Sequence, residues 1–381
     1  MMRYPQLKRF SRVLSVLTFL LTISVSGMAA PSVVEIESRL EAARQKNDVP
    51  ALGGAIVSSE GIVAFGVTGT RKRGNAVKAT RADLWHLGSD TKAMTALLAA
   101  LFVEDRKLSW ESTVGSMFPE LVPVLHPQFA KVTLIQLLSH HAGLPANLDE
   151  WFKPDWKKGS LVQQRLETLR LGMKKAPIHA PGDMYLYSNT GYVIAAAMME
   201  KVTGRTWEEL IQSRVFEPLS MKSSGFGGTG TPGDVDQPWP HLGDGTPMPG
   251  NGPETDNPAV MGPAGRVHMN LNDWGLFIAD FLRGINGKPA LAKQEVYQKL
   301  TKIPFGGDYA IGWISCERPW GGGTVLTHAG SNTMNFCVVW MAPARDFAVL
   351  VTCNQGGERA TKACDEVASE LISLHLAPKG K

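Results

Sequence analysis

The chain has 381 residues, 44% of them hydrophobic and 19% charged, ordinary values for a globular protein with a large core. Its formal charge is +4, and Arg3, Lys8, Arg9 and Arg12 place four positive charges among the first 30 residues, which contain no acidic residue. The rest of the chain is close to neutral, which excludes a general electrostatic attraction to nucleic acid or to an anionic membrane.

Those basic residues head an uncharged apolar run, VLSVLTFLLTISV (13–25), and the small residues of GMAA follow. This is the layout of a secretory signal peptide, with a cut predicted after Ala29 or Ala30. The run is shorter than the ~20 residues a membrane helix needs. The expectation is a secreted or periplasmic protein of residues 31–381, with no stable membrane anchor after cleavage. KRF is not a twin arginine, and no cysteine near the cut could take a lipid.

Residues 33–46 put Val33, Ile36, Leu40 and Ala43 on one helical face. ALGGAIVSS and GIVAFGVTGT then read as two strands around a Ser-Glu-Gly turn. From Ser89 to about residue 222 the pattern is helical, with segments near 89–105, 133–139, 160–173, 189–203 and 206–215, and Gly204 stops the fourth. Residues 225–265 are nearly half glycine and proline, an irregular stretch that suggests a wall of a cleft carrying Trp239, His241 and Met248. A helix is predicted at 272–283 with Gly284 as its cap. DYAIGWISCE, GTVLTHAG, NFCVVWMAP and FAVLVTCN alternate as strands, and a last helix covers 360–375. Strands at both ends with helices between them predict an α/β (α+β) fold. It has a mixed, mainly antiparallel sheet flanked by helices, with a mainly helical insertion. The α/β part is expected at 31–88 and 285–381 and the helical part at 89–284, within one unit.

Cys316, Cys337, Cys353 and Cys364 fit no metal motif. Four cysteines allow three complete disulfide pairings, and free thiols are an equal alternative. The nine histidines form no HExxH pattern, so neither metal nor cofactor is expected.

Chemistry is concentrated at HLGSDTKAMTALLAALF (86–102). On a helix, Ser89 and Lys92 share a face, with side-chain roots about 5–6 Å apart. A serine hydroxyl needs a base to become a nucleophile. Lys92 could be that base if its pKa fell from ~10.4 towards ~7, a penalty of roughly 4 kcal/mol on the charged form. Burial lowers a lysine by such amounts. The plain alternative is a serine cap and a lysine reaching to solvent. Two further stretches favour chemistry. Tyr187-Ser188-Asn189 opens another apolar helix, with a phenol able to shuttle a proton and an amide able to hold substrate or lysine. His328-Ala329-Gly330 ends a strand, where glycine would let substrate approach the backbone.

Ser-x-x-Lys, Tyr-x-Asn and His-x-Gly, in that order, resemble the serine β-lactamases of class C type. The related penicillin-binding D,D-peptidases, D-amino-acid peptidases and β-lactamase-like carboxylesterases share the pattern. LLSHHAGLP (137–145), PGDMYLYSN (181–189) and VFEPLSMKSSGF (215–226) look like the same family's connecting segments, and the resemblance covers almost the whole mature chain. It implies a β-lactamase/transpeptidase-like fold and an acyl-enzyme on Ser89. Lys92 and Tyr187 would share the acid and base roles, with the first proton acceptor left open. Asn189, His328, Gly330 and Ser331 would bind substrate, and the backbone N–H groups of Ser89 and Ser331 would form the oxyanion hole. The second His-x-Gly, at His141, has the wrong order and setting, so His140 and His141 read as structural. His328 stands where many relatives carry lysine, and a histidine of ordinary pKa is mostly neutral at pH 7. The substrates implied are esters, amides or D-amino-acid peptides, with β-lactams and D,D-peptides as the alternative. A further alternative is a protein that recognises penicillin or cell wall without turnover.

Overall fold

The structure is a computed structural model that describes residues 31–377; the expected signal peptide lies outside the described residues. Helix α1 (Val33–Lys46) starts at a capping box, in which Ser32 and Glu35 satisfy each other's backbone N–H groups. It buries Ile36, Leu40 and Ala43 of the face the spacing predicts, while Val33 at the helix start is exposed. Strands β1 (Ala51–Ser58) and β2 (Gly61–Gly69) form a hairpin, and a short β3 (Trp85–His86) leads into α2 (Thr91–Glu104). The helical stretch continues through α3 (Val114–Met117), α4 (Leu134–Leu138), α5 (Leu161–Gly172), α6 (Asn189–Thr203) and α7 (Trp207–Ile211). After it come β4 (Gly225–Phe226), α8 (Gly262–Gly265), β5 (Val267–Met269), α9 (Leu271–Ile285) and α10 (Gln294–Thr301). The chain closes with β6 (Ile314–Arg318), β7 (Gly323–Ser331), β8 (Phe336–Ala342), β9 (Phe347–Cys353) and α11 (Gly357–Leu376).

Strands from the two ends of the chain build one six-stranded sheet in the order β2-β1-β9-β8-β7-β6, as the pattern predicts. Every neighbouring pair is antiparallel, where the sequence allowed for a mixed sheet. Alternation along the strands divides the core. Leu52 and Ile56 of β1, with Val349 and Val351 of β9, face a layer that includes Leu40, Val367 and Leu371 of α1 and α11. Ala51, Ala55 and Leu350 face the opposite layer, with Leu97, Leu98, Phe277 and Phe281 of α2 and α9. Each of these valine, leucine, isoleucine and phenylalanine side chains contributes about 1.5–3 kcal/mol on removal from water, and each alanine less. The second sheet, β3-β5-β4, is small and stands at the entry to α2.

Two local expectations change, and one open alternative, that of the cysteines, closes. The strand predicted from residue 308 begins only at Ile314, because the segment before it is irregular and buries Tyr309, Ile311 and Trp313. Gly284 does not cap α9, which runs to Ile285. A Cβ at Gly284 would lie 2.2 Å from the Tyr297 ring, so glycine is needed there for contact with α10. All four cysteines are free, three of them buried.

Candidate active site

The turn that carries Ser89 is held by backbone packing. β3 delivers Leu87-Gly88-Ser89-Asp90 into α2, with Gly88 at φ +46°, a conformation that favours glycine. A Cβ on Gly88 would come within 2.4 Å of Ser331 N, and one on Gly330 within 1.9 Å of Leu87 O. The end of β7 therefore lies directly against the turn that carries Ser89. Gly330 serves this strand-to-turn contact, which revises the expectation that it gives room to substrate. The same contact brings Ser331 N beside the turn that carries Ser89, the placement an oxyanion pocket with Ser89 N would require.

Lys92 lies in the first turn of α2 and is fully buried. Its Nζ is 3.0 Å from Ser89 Oγ, 2.7 Å from Asn189 Oδ1 and 2.6 Å from Ala264 O. Burial pulls its pKa well below the usual lysine range, against the opposing pull of Asp90. The last two partners are acceptors only in this pairing. A neutral lysine keeps two N–H bonds for them and turns its lone pair towards Ser89. Tyr187 Oη donates to Ser89 Oγ at 2.7 Å, and burial raises the phenol's pKa, so Tyr187 holds its proton. With Tyr187 donating, the serine's own hydrogen is free to point at Lys92.

Asn189 takes the lysine on one side and donates from Nδ2 to Asn147 Oδ1 at 2.8 Å on the other. Ser188 between them caps α6, its Oγ accepting from Gly191 N. His140 is structural, as read: buried at φ +64°, its Nδ1 accepts from Ser188 N, and its ring packs 4.5 Å from that of Tyr187. Burial holds it neutral. His141 is likewise buried and bonded to Ser139 O.

His328 is only 4% exposed. Its Nδ1 lies 2.9 Å from Ala329 O and 3.2 Å from Asp90 Oδ1, and its Nε2 lies 3.1 Å from the Tyr309 hydroxyl. Both ring nitrogens are therefore occupied inside the protein, in place of the direct substrate contact expected of this residue. Ser331 Oγ donates to Asn335 O and accepts from Thr333 N, so its side chain serves the turn after β7.

Several residues of the site gave no signal in the sequence. Asp256, from the Gly/Pro-rich stretch, is buried and binds His86, Arg266 and Asn332 at 2.8, 3.1 and 2.8 Å. Burial would raise its pKa, but His86, Arg266 and Asn332 together hold it below the usual carboxylate range. His86 Nδ1 accepts from Gly88 N, so its Nε2 carries the hydrogen that meets Asp256. Asn332 in turn accepts from Met334 N and Asn335 N. One carboxylate thus ties the turn before Ser89 to the turn after Ser331. Asn147 and the carbonyl of Ala264 complete the list of missed partners.

The Gly/Pro-rich stretch divides in two. Trp239 and His241 are buried and stitch it to the sheet, through Trp239 N to Arg71 O and His241 to Arg73 N and Asn354 O. Met248 O accepts from the Trp239 indole. Trp239, His241 and the Met248 backbone thus brace the fold. Glu254 and residues 256–259 line a separate cleft of about 560 Å³, with Trp151, Phe152, Trp156 and Met334. Among the described residues, no three His, Cys, Asp or Glu side chains group to hold a metal.

A family model described as Beta-lactamase matches residues 36–371. An unguisins hydrolase of Aspergillus violaceofuscus is 28% identical over 185 residues, and penicillin-binding protein 4* of Bacillus subtilis is 30% identical over 143. These alignments take in 45% and 37% of this chain but 31% and 30% of the relatives, so the chain spans about a third of the length of either. The octameric penicillin-binding protein homologue from Pyrococcus abyssi superposes with a TM-score of 0.71 at 24% identity, over 91% of this chain and 78% of that one. That likeness is one of fold.

Proposed function

The chain belongs to the Beta-lactamase family, and on that premise we propose that it is a secreted serine hydrolase working through an acyl-serine on esters, amides or D-amino-acid peptides. The observation that carries this reading is the position of Ser89 Oγ, 3.0 Å from the buried Lys92 Nζ and 2.7 Å from Tyr187 Oη. Ser89 attacks the carbonyl carbon as its proton passes to neutral Lys92. Oxyanion charge is met by the N–H groups of Ser89 and Ser331 at the positive end of α2. Lys92 returns the proton to the leaving group through Tyr187, whose phenol reaches the same oxygen. Water then attacks the acyl-serine by the reverse relay, and Asn189 holds Lys92 and the substrate in register. The arrangement favours Lys92 over Tyr187 as the first acceptor, because Tyr187 already donates to Ser89 and burial keeps its proton in place.

In this reading residues 1–30 direct export and residues 31–381 form one catalytic unit. The buried setting of His328 supports esters and amides over antibiotic hydrolysis. A stalled penicillin-recognising protein is disfavoured by the complete Ser89, Lys92 and Tyr187 relay.

The test pairs residues 31–381 with the Ser89→Ala variant on a short-chain nitrophenyl ester and a chromogenic cephalosporin. Fast ester turnover with slow cephalosporin turnover, both lost in the variant, is the expected result. A cephalosporin preference would make the β-lactamase reading the leading one. A single stoichiometric burst without turnover would indicate the stalled binder, and undiminished activity in folded Ser89→Ala would end the acyl-serine mechanism.

A further inference from the structure

Ser-Asp-Thr-Lys places a carboxylate directly after the nucleophile. Asp90 is 2% exposed and does not cap α2, although it sits at the helix start where an aspartate usually does so. Its Oδ2 accepts from Cys337 Sγ at 3.1 Å. Its Oδ1 has no well-aligned hydrogen bond and faces His328 Nδ1 at 3.2 Å. The misalignment has a local cause. Nδ1 is also 2.9 Å from Ala329 O, an acceptor that can only be met by an N–H, so the hydrogen on Nδ1 is divided between two oxygens. The other ring nitrogen meets Tyr309. Position 328 therefore sits against a carboxylate that is buried and short of partners.

We propose that Asp90 sets the charge selectivity of this site: it engages whatever cation stands at position 328, so that the cleft takes acyl donors lacking a carboxylate beside the scissile bond. The proposal deepens the acyl-serine reading and rests on it. The physical argument is one of competition. Burial raises the Asp90 carboxyl's pKa and a positive charge at 328 lowers it. A cation placed there therefore holds its own partner ionised, 3.2 Å away inside the protein, and must be drawn from it by a mobile anion on the substrate. The internal carboxylate is already desolvated and in place, whereas the substrate must surrender its hydration to compete. A lysine substituted at 328 alone would therefore pair inward with Asp90, and its charge would add little grip on substrate. Two positions 238 residues apart in sequence must change together for the site to recognise a carboxylate.

The experiment uses residues 31–381 as wild type, His328→Lys, Asp90→Asn and the double variant. The probes are benzoylglycyl thioglycolate and its methyl ester, which differ only in a free or masked carboxylate. The reading is the ratio of kcat/KM for acid over ester, with unfolding transitions recorded for each protein. His328→Lys alone should leave the ratio within a few-fold of wild type. The double variant should raise it by at least about tenfold beyond the product of the single changes, the size expected for directly coupled residues. Equal gains in His328→Lys and in the double variant would overturn the proposal, as would additive effects. If Asp90→Asn does not fold, His328→Lys alone still tests the proposal: a tenfold gain there refutes the inward pairing. Ser89→Ala, run alongside on the methyl ester, separates this outcome from the mechanism. Turnover surviving in Ser89→Ala removes the acyl-serine reading whatever the ratios show.

Discussion

Two apolar helices bring their first turns together around Ser89, and they begin in opposite ways. α6 starts conventionally: Ser188 is extended, at φ −143° and ψ 113°, and its hydroxyl accepts from Gly191 N. The helix ends at Gly204 in the left-handed region. α2 has no such start. It is entered through Gly88 at φ +46° and a 3-10 turn, and Asp90 makes no capping bond. The next hydroxyl, on Thr91, accepts from Val267 N in β5. A missing cap costs about 1 kcal/mol, so the start of α2 depends on tertiary contacts with β5, β7 and α8. The difference separates two uses of a helix start. α6 closes its end to hold Tyr187 and Asn189 still, while the start of α2 ties Thr91 to β5 and leaves Ser89 and Lys92 for the proposed reaction.

The largest effect that tests this contrast is Ser89→Ala. Turnover should vanish while the denaturant midpoint stays close to wild type, because Ser89 Oγ meets Lys92 and Tyr187 and caps nothing. A variant that loses activity only by unfolding would show that Ser89 supports the helix after all.

Lys92→Met and Tyr187→Phe should each cost at least about a hundredfold in kcat/KM, the low end for groups that move protons. Lys92→Met carries a second readout. Burial lowers the folded pKa of Lys92 well below its unfolded value of ~10.4. Between those two values the unfolded chain binds one more proton than the folded protein, so this residue makes stability rise with pH across the window. The destabilisation is complete below the folded pKa and disappears above the unfolded one. Wild type should therefore gain stability relative to Lys92→Met as the solution is made alkaline. Parallel stability profiles in the two proteins would mean that Lys92 is charged in the folded state, and the base assignment would fall with it.

The contrast also explains what the sequence could and could not show. Ser89 and Lys92 are legible because helical spacing alone places them on one face, and Tyr187 and Asn189 because they open an apolar helix. The six-stranded sheet is legible because short apolar runs bounded by turn residues mark β1, β2, β7, β8 and β9, β1 and β9 being buried on both faces. What stays hidden depends on contacts between residues far apart in the chain. Asn147 reaches Asn189, Ala264 O reaches Lys92, and Asp256 comes from an irregular stretch to join His86 with Asn332. No local pattern marks such residues. Asp90 is hidden in the same way, and the structure shows it entering a helix whose next twelve residues are all buried. His328 was legible as part of the site but not in its contacts, because nothing near it in sequence points to Asp90 or Tyr309. Trp239 and His241 were misplaced for the converse reason, since glycine and proline content marks an irregular path and not the surface that path lines.

The smallest expected effect is the sharpest test of the α6 side of the comparison. Ser188→Ala removes the cap to Gly191 N and the bond from Ser188 Oγ to Pro145 O at 2.7 Å. Both partners are backbone groups, and the loss should be about 1–2 kcal/mol in unfolding free energy. Activity should stay within a few-fold of wild type, because the backbone of Ser188 remains fixed by His140 Nδ1, and Tyr187 and Asn189 keep their own partners. Ser89→Ala and Ser188→Ala would then form a crossed pair, one losing activity and the other losing stability. If Ser188→Ala instead lowered turnover as far as Tyr187→Phe while leaving stability unchanged, Ser188 would have to take part in the proton relay. The start of α6 would then resemble that of α2, with its hydroxyl committed to the reaction before the helix.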